Sequence, residues 1–553
     1  MLITTTLILG VLIFSVLVTG GQNIKMGSIS LRFEGFTNLA IEFLLSLFLL
    51  MVLFKKRIRQ RLNEFRRGFS ALGKNERAAF LMLFLIFLYF WWWGFSYPTT
   101  IGGDGIGYYS YLRSIVMDGD LRFGNEFEKL NGAKFGFLLP ANRTAMGYWS
   151  NPFSIGPAIL WSPFFLLAFA ISWLANSLGA HLPLDGYSPL FVLFTAAGTK
   201  IYGFLGLWFI YRGLRLFYKR SISFLSTVLI LIATPVAFYL PFEPFMSHMH
   251  SLFSISAMVY YLLSNLGRRI RTTRVWIILG GLTGLIGLSR WQDLTFAFIP
   301  LTFLFLNQSA LVNDKVAGLK KSAYLAGIYL LSLFAVVLPQ LLVFKILYGF
   351  WVGVPQGNGF VTLTPTHLWD ILFSPFHGLF QWHPILFISL IGLIWGSMKR
   401  QRLMAALLIA FLIQWFFNAS LPQWWAGDSF GMRRLINCTL PFAFGLAFLI
   451  GMPGRKEMSG KVLVGLCGCL SIINLLAIKG YITGLVPHES SFSFIRILGT
   501  LVSLIKDNFF GGQFKNLLLI AMLAGGITFA KRSFFRGHQY LDALKSTAAN
   551  PRT

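Results

Sequence analysis

Long apolar segments recur along the whole chain and constrain its fold more than any other feature. They run for about 17 to 25 residues, which is enough for a helix to cross a hydrocarbon core of about 30 Å. Strands of a membrane barrel would alternate in polarity, and these segments do not. Of the 553 residues, 56% are hydrophobic and only 12% are charged. The sequence therefore predicts an all-α polytopic membrane protein with about 12 to 14 transmembrane helices.

The apolar segments give the approximate positions of the membrane spans. We expect helices near residues 3–19, 38–54, 79–97, 190–210, 222–240, 251–267, 275–290, 291–306, 322–346, 384–398, 403–419, 438–452, 462–480 and 515–531. Most of the net charge of +28 lies in short basic clusters between these segments, such as "KKRIRQRLNEFRR" and "YRGLRLFYKR". That pattern follows the positive-inside rule and suits anionic membrane lipids. We do not expect nucleic-acid binding, because no basic stripe accompanies a soluble motif.

Residues 153–178, "FSIGPAILWSPFFLLAFAISWLANSL", are also long enough to cross the membrane. If they did, the basic cluster "YRGLRLFYKR" would lie on the opposite side from every other basic cluster. Keeping this segment outside, as a proline-broken helix in the membrane interface, restores the charge rule along the chain. The polar and aromatic loops then all face the non-cytoplasmic side.

The first of these loops begins "IGGDGIGYYSYLR". Asp104 stands at bilayer depth, where an ionised carboxylate is costly without a partner or a purpose. It is a candidate general base that takes a proton from an acceptor hydroxyl; the alternative is a turn or helix-capping role. Tyr108 and Arg113 are candidate substrate contacts. We expect the three tyrosines to seat an interfacial helix among lipid headgroups.

The second outer loop, "LPFEPFMSHMHSLF", groups Glu243, His248 and His250. The histidines could donate hydrogen bonds to a phosphate or a sugar, ligate a metal, or cap the next helix. Metal binding is the least favoured alternative, because no further cluster completes a ligand set. Arg290 follows in the turn "GLSRWQDLTF", where it either contacts substrate or neutralises Asp293.

Two later loops add further candidates. "FHGLFQWHP" contains His377, Trp382 and His383, and such rings and imidazoles suit a carbohydrate. An interfacial aromatic belt would account for the tryptophan but not for the histidines.

"LPQWWAGDSFGMRRLIN" places paired arginines on the outer side, against the positive-inside trend. Arg433 and Arg434 could hold the phosphate of a lipid-linked donor, with Trp425 and Asp428 beside them. The alternative is that the arginines pair with Asp428 or with phospholipid headgroups.

This set of features resembles the GT-C superfamily of membrane glycosyltransferases, in the branch of the protein mannosyltransferases and the aminoarabinose transferases of lipid A. The shared features are the many helices, the acid in the first large outer loop, and the interfacial helices of that loop. The resemblance implies a GT-C-like bundle with a catalytic module at 79–480, whose outer loop at 98–189 carries the interfacial helices. Residues 1–78 would form a transmembrane hairpin and a basic cytoplasmic loop, and 481–553 an outer loop, a last span and a basic tail.

The resemblance also implies an activity. Asp104 would be the catalytic base of an inverting hexosyl- or pentosyltransferase that uses a polyprenyl-phosphate sugar and a glycan, lipid or protein acceptor. Arg433, Arg434, Arg290 and His248, in that order, are the candidates for holding the donor phosphate. The expected place is a prokaryotic plasma membrane, with the site on the extracytoplasmic face. We expect no required cofactor and no bound metal. The rival activities are a polysaccharide polymerase or O-antigen ligase, and a transporter of lipid-linked sugars.

Overall fold

The structure is a computed structural model that describes residues 22–26, 29–33, 73–95, 100–266, 268–306, 315–357, 359–362, 364–452, 457–486, 488, 491, 499, 500 and 502. The expected spans at 3–19, 38–54 and 515–531 lie outside the described residues, as do the basic loop and the basic tail next to them. Everything that follows concerns the described part of the chain.

Nearly all regular structure in this part is helical. A short antiparallel pair of strands, β1 (Gln22–Met26) and β2 (Ile29–Phe33), comes first in the sequence. The helices are α1 (Lys74–Phe95), α2 (Asp104–Arg113), α3 (Gly124–Lys129), α4 (Gly156–Ser177), α5 (Pro189–Leu214), α6 (Arg220–Ile232), α7 (Val236–Tyr239), α8 (His248–Ser264), α9 (Thr273–Ser289), α10 (Phe298–Leu306), α11 (Lys315–Tyr348), α12 (Leu368–Phe373), α13 (Leu379–Trp382), α14 (Pro384–Met398), α15 (Arg402–Ala419), α16 (Thr439–Ile450) and α17 (Glu457–Ile482). Short 3-10 helices, here called 3-10 turns, cover Trp291–Ala297 and Arg433–Cys438.

The predicted helical membrane protein is confirmed within the described residues. Seven helices there are long and apolar enough to cross a membrane: Asn75–Gly94, Gly156–Ser177, Pro189–Leu214, Val316–Tyr348, Arg402–Ala419, Arg433–Ile450 and Gly460–Ile482. Shorter apolar helices cover Arg220–Ile232, Thr273–Ser289, Trp291–Leu306 and Pro384–Met398. The total number of crossings stays a prediction.

Irregular backbone interrupts one predicted span and separates two others at their predicted boundary, for local reasons. The span expected at 222–240 is divided into α6 and α7 at Pro235, because proline has no N–H to continue the helical ladder. After α9, the backbone of Arg290 is extended, with φ −155° and ψ 122°, and a 3-10 turn leads into α10. Both interruptions place irregular backbone at the end of a helix, where polar side chains can gather.

The segment at 153–178 forms α4, a single helix that continues through Pro163, so the expected break of this helix at a proline is wrong. Helix α4 packs antiparallel against the first half of α5. The indole N–H of Trp161 donates to Thr199 Oγ1 at 2.6 Å, and the hydroxyl of Tyr202 donates to the carbonyl of Leu160 at 3.1 Å. Gly198 lets the ring of Phe164 approach the α5 backbone closely. The indole and phenol bonds satisfy polar groups that the helix pair buries.

The start of α4 lies beside the C-terminal end of α9, where Gly156 packs against Leu288. Helix α8 begins alongside the middle of α5, as the contact between Gly203 and Met249 shows. The α5 residues that contact α4 extend no further than Tyr202, so they all precede Gly203 in α5. Helix α4 therefore extends from the end of the bundle at which α8 begins and α9 ends. Whether α4 stays on the outer side or crosses the membrane remains a prediction, since its length would allow it to cross.

The expectation for the tyrosines of α2 is wrong. Tyr108, Tyr109 and Tyr111 are buried, the first at 8% exposure and the others at 0%. Their hydroxyls bond Ser247 Oγ, the carbonyl of Gly186 and the carbonyl of Asn151, respectively. Helix α2 is covered by α4 and by the surrounding loop, so its aromatic rings form part of a protein core and not a lipid-facing surface.

The placement of α4 predicts which side of the membrane its connection to α5 faces. In a variant without Cys438, Cys467 and Cys469, we expect His181→Cys to react with a membrane-impermeant maleimide added outside intact cells. Val352→Cys, in a predicted outer loop, should react in the same way. Lys399→Cys, in a predicted cytoplasmic turn, should react only after permeabilisation.

Labelling of His181→Cys that requires permeabilisation would show that α4 crosses the membrane and would contradict this topology.

Candidate active site

Four segments that are distant in sequence meet at one end of the helical bundle. They are the start of α2 with Asp104, the start of α8 with His248, the turn after α9 with Arg290, and the 3-10 turn before α16 with Arg433 and Arg434. The structure thus brings together the five residues that the sequence put forward as base and phosphate ligands. Their functional roles stay predictions.

Asp104 and Arg433 form an ion pair at the centre of this site. Arg433 Nη2 lies 3.2 Å from Asp104 Oδ2. The side chain of Asp104 remains 38% exposed, whereas that of Arg433 is 13% exposed. The carboxylate is therefore held in place by a largely buried cation and still has a face open to a ligand.

The local backbone explains how Asp104 reaches this position. Asp104 is the first residue of α2, where a negative charge interacts favourably with the helix dipole. Gly103 precedes it with φ +53°, in a conformation that other residues rarely adopt. Gly105 packs directly against Phe245 and Gly107 against Phe153, so these two glycines serve helix packing and do not face a ligand.

Two more guanidinium groups lie beside this ion pair. Arg290 Nη1 donates to the carbonyl of Arg434 at 3.2 Å, and Arg434 Nη2 donates to the carbonyl of Gln423 at 3.3 Å. Arg434 Nε is buried and has no hydrogen-bond partner within the described part of the chain. Among the described residues, Arg433 alone of the three arginines forms a salt bridge with a carboxylate. We call Arg290, Arg433 and Arg434 the arginine cluster; its excess positive charge and spare donors fit an anion.

Two neutral groups border the arginine cluster. His248 is 5% exposed, packs its ring edge-on against Tyr239 at 4.9 Å, and has no partner for Nδ1 among the described residues. Tyr108 shares a 2.9 Å hydrogen bond with Ser247 Oγ. Burial, together with the nearby carboxylate of Asp104, raises the pKa of Tyr108 to about 12, so its phenol stays protonated at neutral pH. Both rings could donate hydrogen bonds to a ligand held by the arginines.

Glu243 is buried within electrostatic range of Arg433, Asp428 and Asp104. Burial raises the pKa of Glu243 to about 7; the Arg433 guanidinium opposes this shift, and the carboxylates of Asp428 and Asp104 add to it. Glu243 therefore changes its charge within the physiological pH range. Its ionised form adds a negative charge close to the arginine cluster.

Arg113, a predicted substrate contact, lies away from the cluster and within the outer-loop core. Arg113 Nη1 donates to Glu126 Oε1 at 2.7 Å and also pairs with Asp118. Its guanidinium lies 4.7 Å from the ring centre of Tyr187. Glu126 is completely buried, and burial raises its pKa to about 8; the hydrogen bond and the charge of Arg113 oppose this shift. The structure therefore gives Arg113 a role in folding and no contact with the candidate site.

His250 also points away from the cluster. It is fully buried, and its ring packs 5.2 Å from Trp161 and 5.6 Å from Tyr202. It lies two residues after His248 on α8, and on a helix residues at this spacing do not share a face. A role for His250 in contacting substrate has no support in this geometry.

The predicted carbohydrate contacts of the later loop, His377, Trp382 and His383, are buried inside the protein. His377 stacks on Trp382 at 5.5 Å, and the indole N–H of Trp382 donates to the carbonyl of Pro375. His383 Nδ1 lies 3.1 Å from Asn474 Oδ1. Burial lowers the pKa of His377 to about 4 and that of His383 to about 3, so both imidazoles are neutral.

His383 has a further effect on the segment that carries the arginines. Gly431 adopts φ +61°, and a Cβ at this position would overlap His383 Nε2. The ring of His383 therefore packs against the backbone two residues before Arg433. This contact makes His383 part of the support of the site and not a surface for sugar.

Trp425 and Asp428 lie in the segment that leads into Arg433 and Arg434. Trp425 packs against Trp424, with ring centres 6.1 Å apart. Asp428 accepts a hydrogen bond from the hydroxyl of Tyr481 at 2.9 Å and pairs with His488 Nδ1 at 3.0 Å. The side chain of Asp428 is 58% exposed, so it remains accessible to a ligand.

The sequence reasoning missed a set of polar side chains within or beside the apolar segments. They are Ser251, Gln414 and Asn437: Ser251 and Asn437 donate to Asp293, three residues after Arg290, and Asn437 also donates to Gln414. A signal was present, because polar residues in a membrane span usually face the protein interior and have a partner. Their partners could not be read from sequence spacing.

No group of three or more His, Cys, Asp and Glu side chains that could hold a metal ion occurs among the described residues. The carboxylate nearest the arginine cluster, Asp104, is bonded to Arg433.

No protein-family model and no curated protein sequence matches the chain significantly. Among solved structures, it is similar to ArnT from Cupriavidus metallidurans bound to undecaprenyl phosphate, with 12% identity, a TM-score of 0.43, and coverage of 82% of this chain and 75% of that one. It is also similar to the oligosaccharyltransferase of Archaeoglobus fulgidus in the apo form, with 13% identity, a TM-score of 0.32, and coverage of 85% and 58%.

AglB of the same archaeon, in complex with an inhibitory peptide and a dolichol-phosphate, gives 13% identity, a TM-score of 0.34, and coverage of 87% and 59%. The chain thus spans less than two thirds of the length of the archaeal enzymes. With TM-scores below 0.5, these likenesses carry no weight in assigning a function to this chain.

The position of Glu243 predicts how pH affects anion binding at the arginine cluster. Below pH 7 Glu243 is neutral, and above pH 7 its negative charge opposes a bound phosphate. We expect the affinity for a polyprenyl phosphodiester, whose own charge is constant between pH 5.5 and 8.5, to fall by up to about tenfold across that range. Titrations of the purified protein at several pH values would measure this fall.

Glu243→Gln should bind the same probe equally well across the range. A wild-type protein without the pH dependence, or a variant that retains it, would contradict the role of this carboxyl.

Proposed function

We propose that the chain is a glycosyltransferase of the GT-C type, which moves a sugar from a polyprenyl-phosphate donor to an acceptor hydroxyl on the non-cytoplasmic face of the membrane. The observation that carries this proposal is the partly exposed carboxylate of Asp104, which lies 3.2 Å from Arg433 of the arginine cluster. A proton acceptor and an anion site thus lie next to each other at the end of an apolar bundle.

Asp104 acts as the general base of the reaction. It takes the proton of the acceptor hydroxyl while the hydroxyl oxygen attacks the anomeric carbon of the donor sugar. Arg433 holds the carboxylate in one orientation, and the exposed face of Asp104 is where the acceptor binds. Positioning of this kind lowers the barrier because the reacting atoms meet in a fixed geometry.

The arginine cluster stabilises the leaving group. As the bond between the anomeric carbon and the phosphate oxygen breaks, the polyprenyl phosphate departs with an additional negative charge. The spare donors of Arg434 and the guanidinium of Arg290 are directed at that charge, and fixed donors in a dry site stabilise it strongly. The leaving phosphate therefore needs no proton donor.

The reaction proceeds in one displacement and inverts the anomeric centre. Asp104 and its partner Arg433 act on the acceptor side, and Arg290 and Arg434 act on the leaving-group side, so attack and departure occur on opposite faces of the sugar. The acceptor proton ends on Asp104, and the electron pair of the broken bond ends on the phosphate. The sugar is a hexose or a pentose, and the acceptor is a glycan, a lipid or a protein.

The membrane setting supports a lipid-linked donor. The arginine cluster lies where helices α8, α9 and α16 begin or end, within reach of a phosphate whose chain remains among the apolar helices. The sequence contains no nucleotide-binding signature, which fits a donor delivered by the membrane. The proposed location is a prokaryotic plasma membrane, whose anionic lipids contact the basic clusters of the protein.

Replacing Asp104 by Asn tests this function directly. Removal of a general base costs about 100-fold or more in rate, so we expect Asp104→Asn to abolish one glycan modification in cells. Mass spectrometry of surface glycans and polyprenyl-phosphate sugars should show the modification lost and the lipid-linked donor accumulated, as in a deletion strain. Asp370→Asn, at a site exposed on the surface, is the matched control and should behave like the wild type.

If the deletion changes the glycans but Asp104→Asn does not, the carboxyl is not a base. A polymerase, a ligase or a transporter of lipid-linked sugars would then be the better assignment.

A further inference from the structure

A continuous hydrogen-bond network lies directly behind the arginine cluster. Asn437 is 1% exposed, and its side-chain nitrogen donates to Asp293 Oδ1 and to Gln414 Oε1, both at 2.7 Å. Asp293 is 0% exposed and also accepts a hydrogen bond from Ser251. The side-chain nitrogen of Asn437 thus joins a buried carboxylate to a buried amide oxygen. Disturbing this network therefore costs free energy, because its members are buried.

The direction of each hydrogen bond in the network is fixed. Gln414 Nε2 donates to the backbone carbonyl of Gln292 at 2.8 Å and to Thr295 Oγ1 at 2.6 Å. Because a backbone carbonyl can only accept, the amide of Gln414 must present its oxygen to Asn437. The carboxylate of Asp293 can only accept as well, when it is ionised. Asn437 is therefore required as a donor to both neighbours, and an acceptor in its place would face two acceptors.

Three members of the network each lie three residues after a member of the candidate site. Asn437 follows Arg434 by three residues in the same 3-10 turn, and Asp293 follows Arg290 by three residues. Ser251 follows His248 by one helical turn of α8. The network thus ties together three of the segments that carry the site, and α15 joins them through Gln414.

We propose that Asn437 is the positioning residue of the arginine cluster: by bonding Asp293 and Gln414 together, it sets the arginine-bearing turn against the turn of Arg290, so that the guanidinium groups face one phosphate. This inference rests on the proposed function. Asn437 itself touches no substrate and acts only through the arginines. Its loss therefore affects the donor, whose phosphate the arginines hold, more than the acceptor.

Two substitutions at Asn437 test this role. Asn437→Ala removes both hydrogen bonds, and Asn437→Asp replaces the donor by an acceptor of nearly the same shape. We expect Asn437→Ala to raise the KM for the donor about tenfold and Asn437→Asp to raise it further, because unpaired buried acceptors displace the turn. The KM for the acceptor should stay within about twofold, as expected for a binding effect confined to the donor. Asn265→Ala, at the opposite end of α8, is the matched control and should leave both values unchanged.

The reciprocal exchange provides a second measurement. The double variant Asp293→Asn with Asn437→Asp has the net charge of the wild type and again places a donor opposite a carboxylate. We expect it to recover a large part of the donor affinity that Asn437→Asp loses. A residue with only a general effect on folding would show no such recovery, because the second substitution adds to the damage.

Binding and turnover are measured together, with a synthetic polyprenyl-phosphate sugar and the purified full-length protein. Variants with wild-type donor affinity, or with lowered thermal stability alone, would overturn the role of Asn437 and leave the proposed function standing. A wild-type protein that neither binds nor consumes the donor would overturn the proposed function and this inference with it.

Discussion

Three guanidinium groups crowded at the end of an apolar bundle are the constraint on which the rest of the site depends. Like charges in such a place are tolerated only with fixed acceptors and counter-charges around them. Asp104 forms an ion pair with Arg433. The carbonyls of Arg434 and Gln423 accept hydrogen bonds from Arg290 and Arg434, respectively, and the buried Asp293 follows Arg290 by three residues. One buried guanidinium nitrogen, Arg434 Nε, has no partner among the described residues. This excess of positive charge is the basis for proposing that the cluster binds an anion.

The helical bundle supplies the geometry that this balance of charge needs. Short irregular segments at the start of α2, the start of α8, the end of α9 and the start of α16 carry the side chains of the site towards each other. The rings of His383 and Trp382 and the covered helix α2 then pack these segments from behind. In enzymes, functional side chains are commonly held in place by rigid supporting residues. Here, hydrogen bonds in apolar surroundings provide that support.

Much of the fold follows from the apolar segments alone, because a stretch of that length has few alternatives to a helix in a membrane. The convergence of Asp104 with the arginines was also predictable, since these residues contradict the charge and hydropathy pattern around them. The burial of Tyr109 and Tyr111, and the pairing of Arg113 with Glu126, were not predictable. Both depend on how the outer loop folds over α2, and that packing leaves no periodic trace in the sequence.

The most direct test is a map of the full-length protein with undecaprenyl phosphate bound, obtained by electron cryomicroscopy. The charge balance described above predicts the phosphate within about 4 Å of the guanidinium groups of Arg290 and Arg434, at hydrogen-bonding or ion-pairing distance. The carboxylate of Asp104 should lie on the other side of a space wide enough for one sugar. A phosphate bound instead at the basic clusters between the helices, with the arginine cluster vacant, would contradict the proposed transferase.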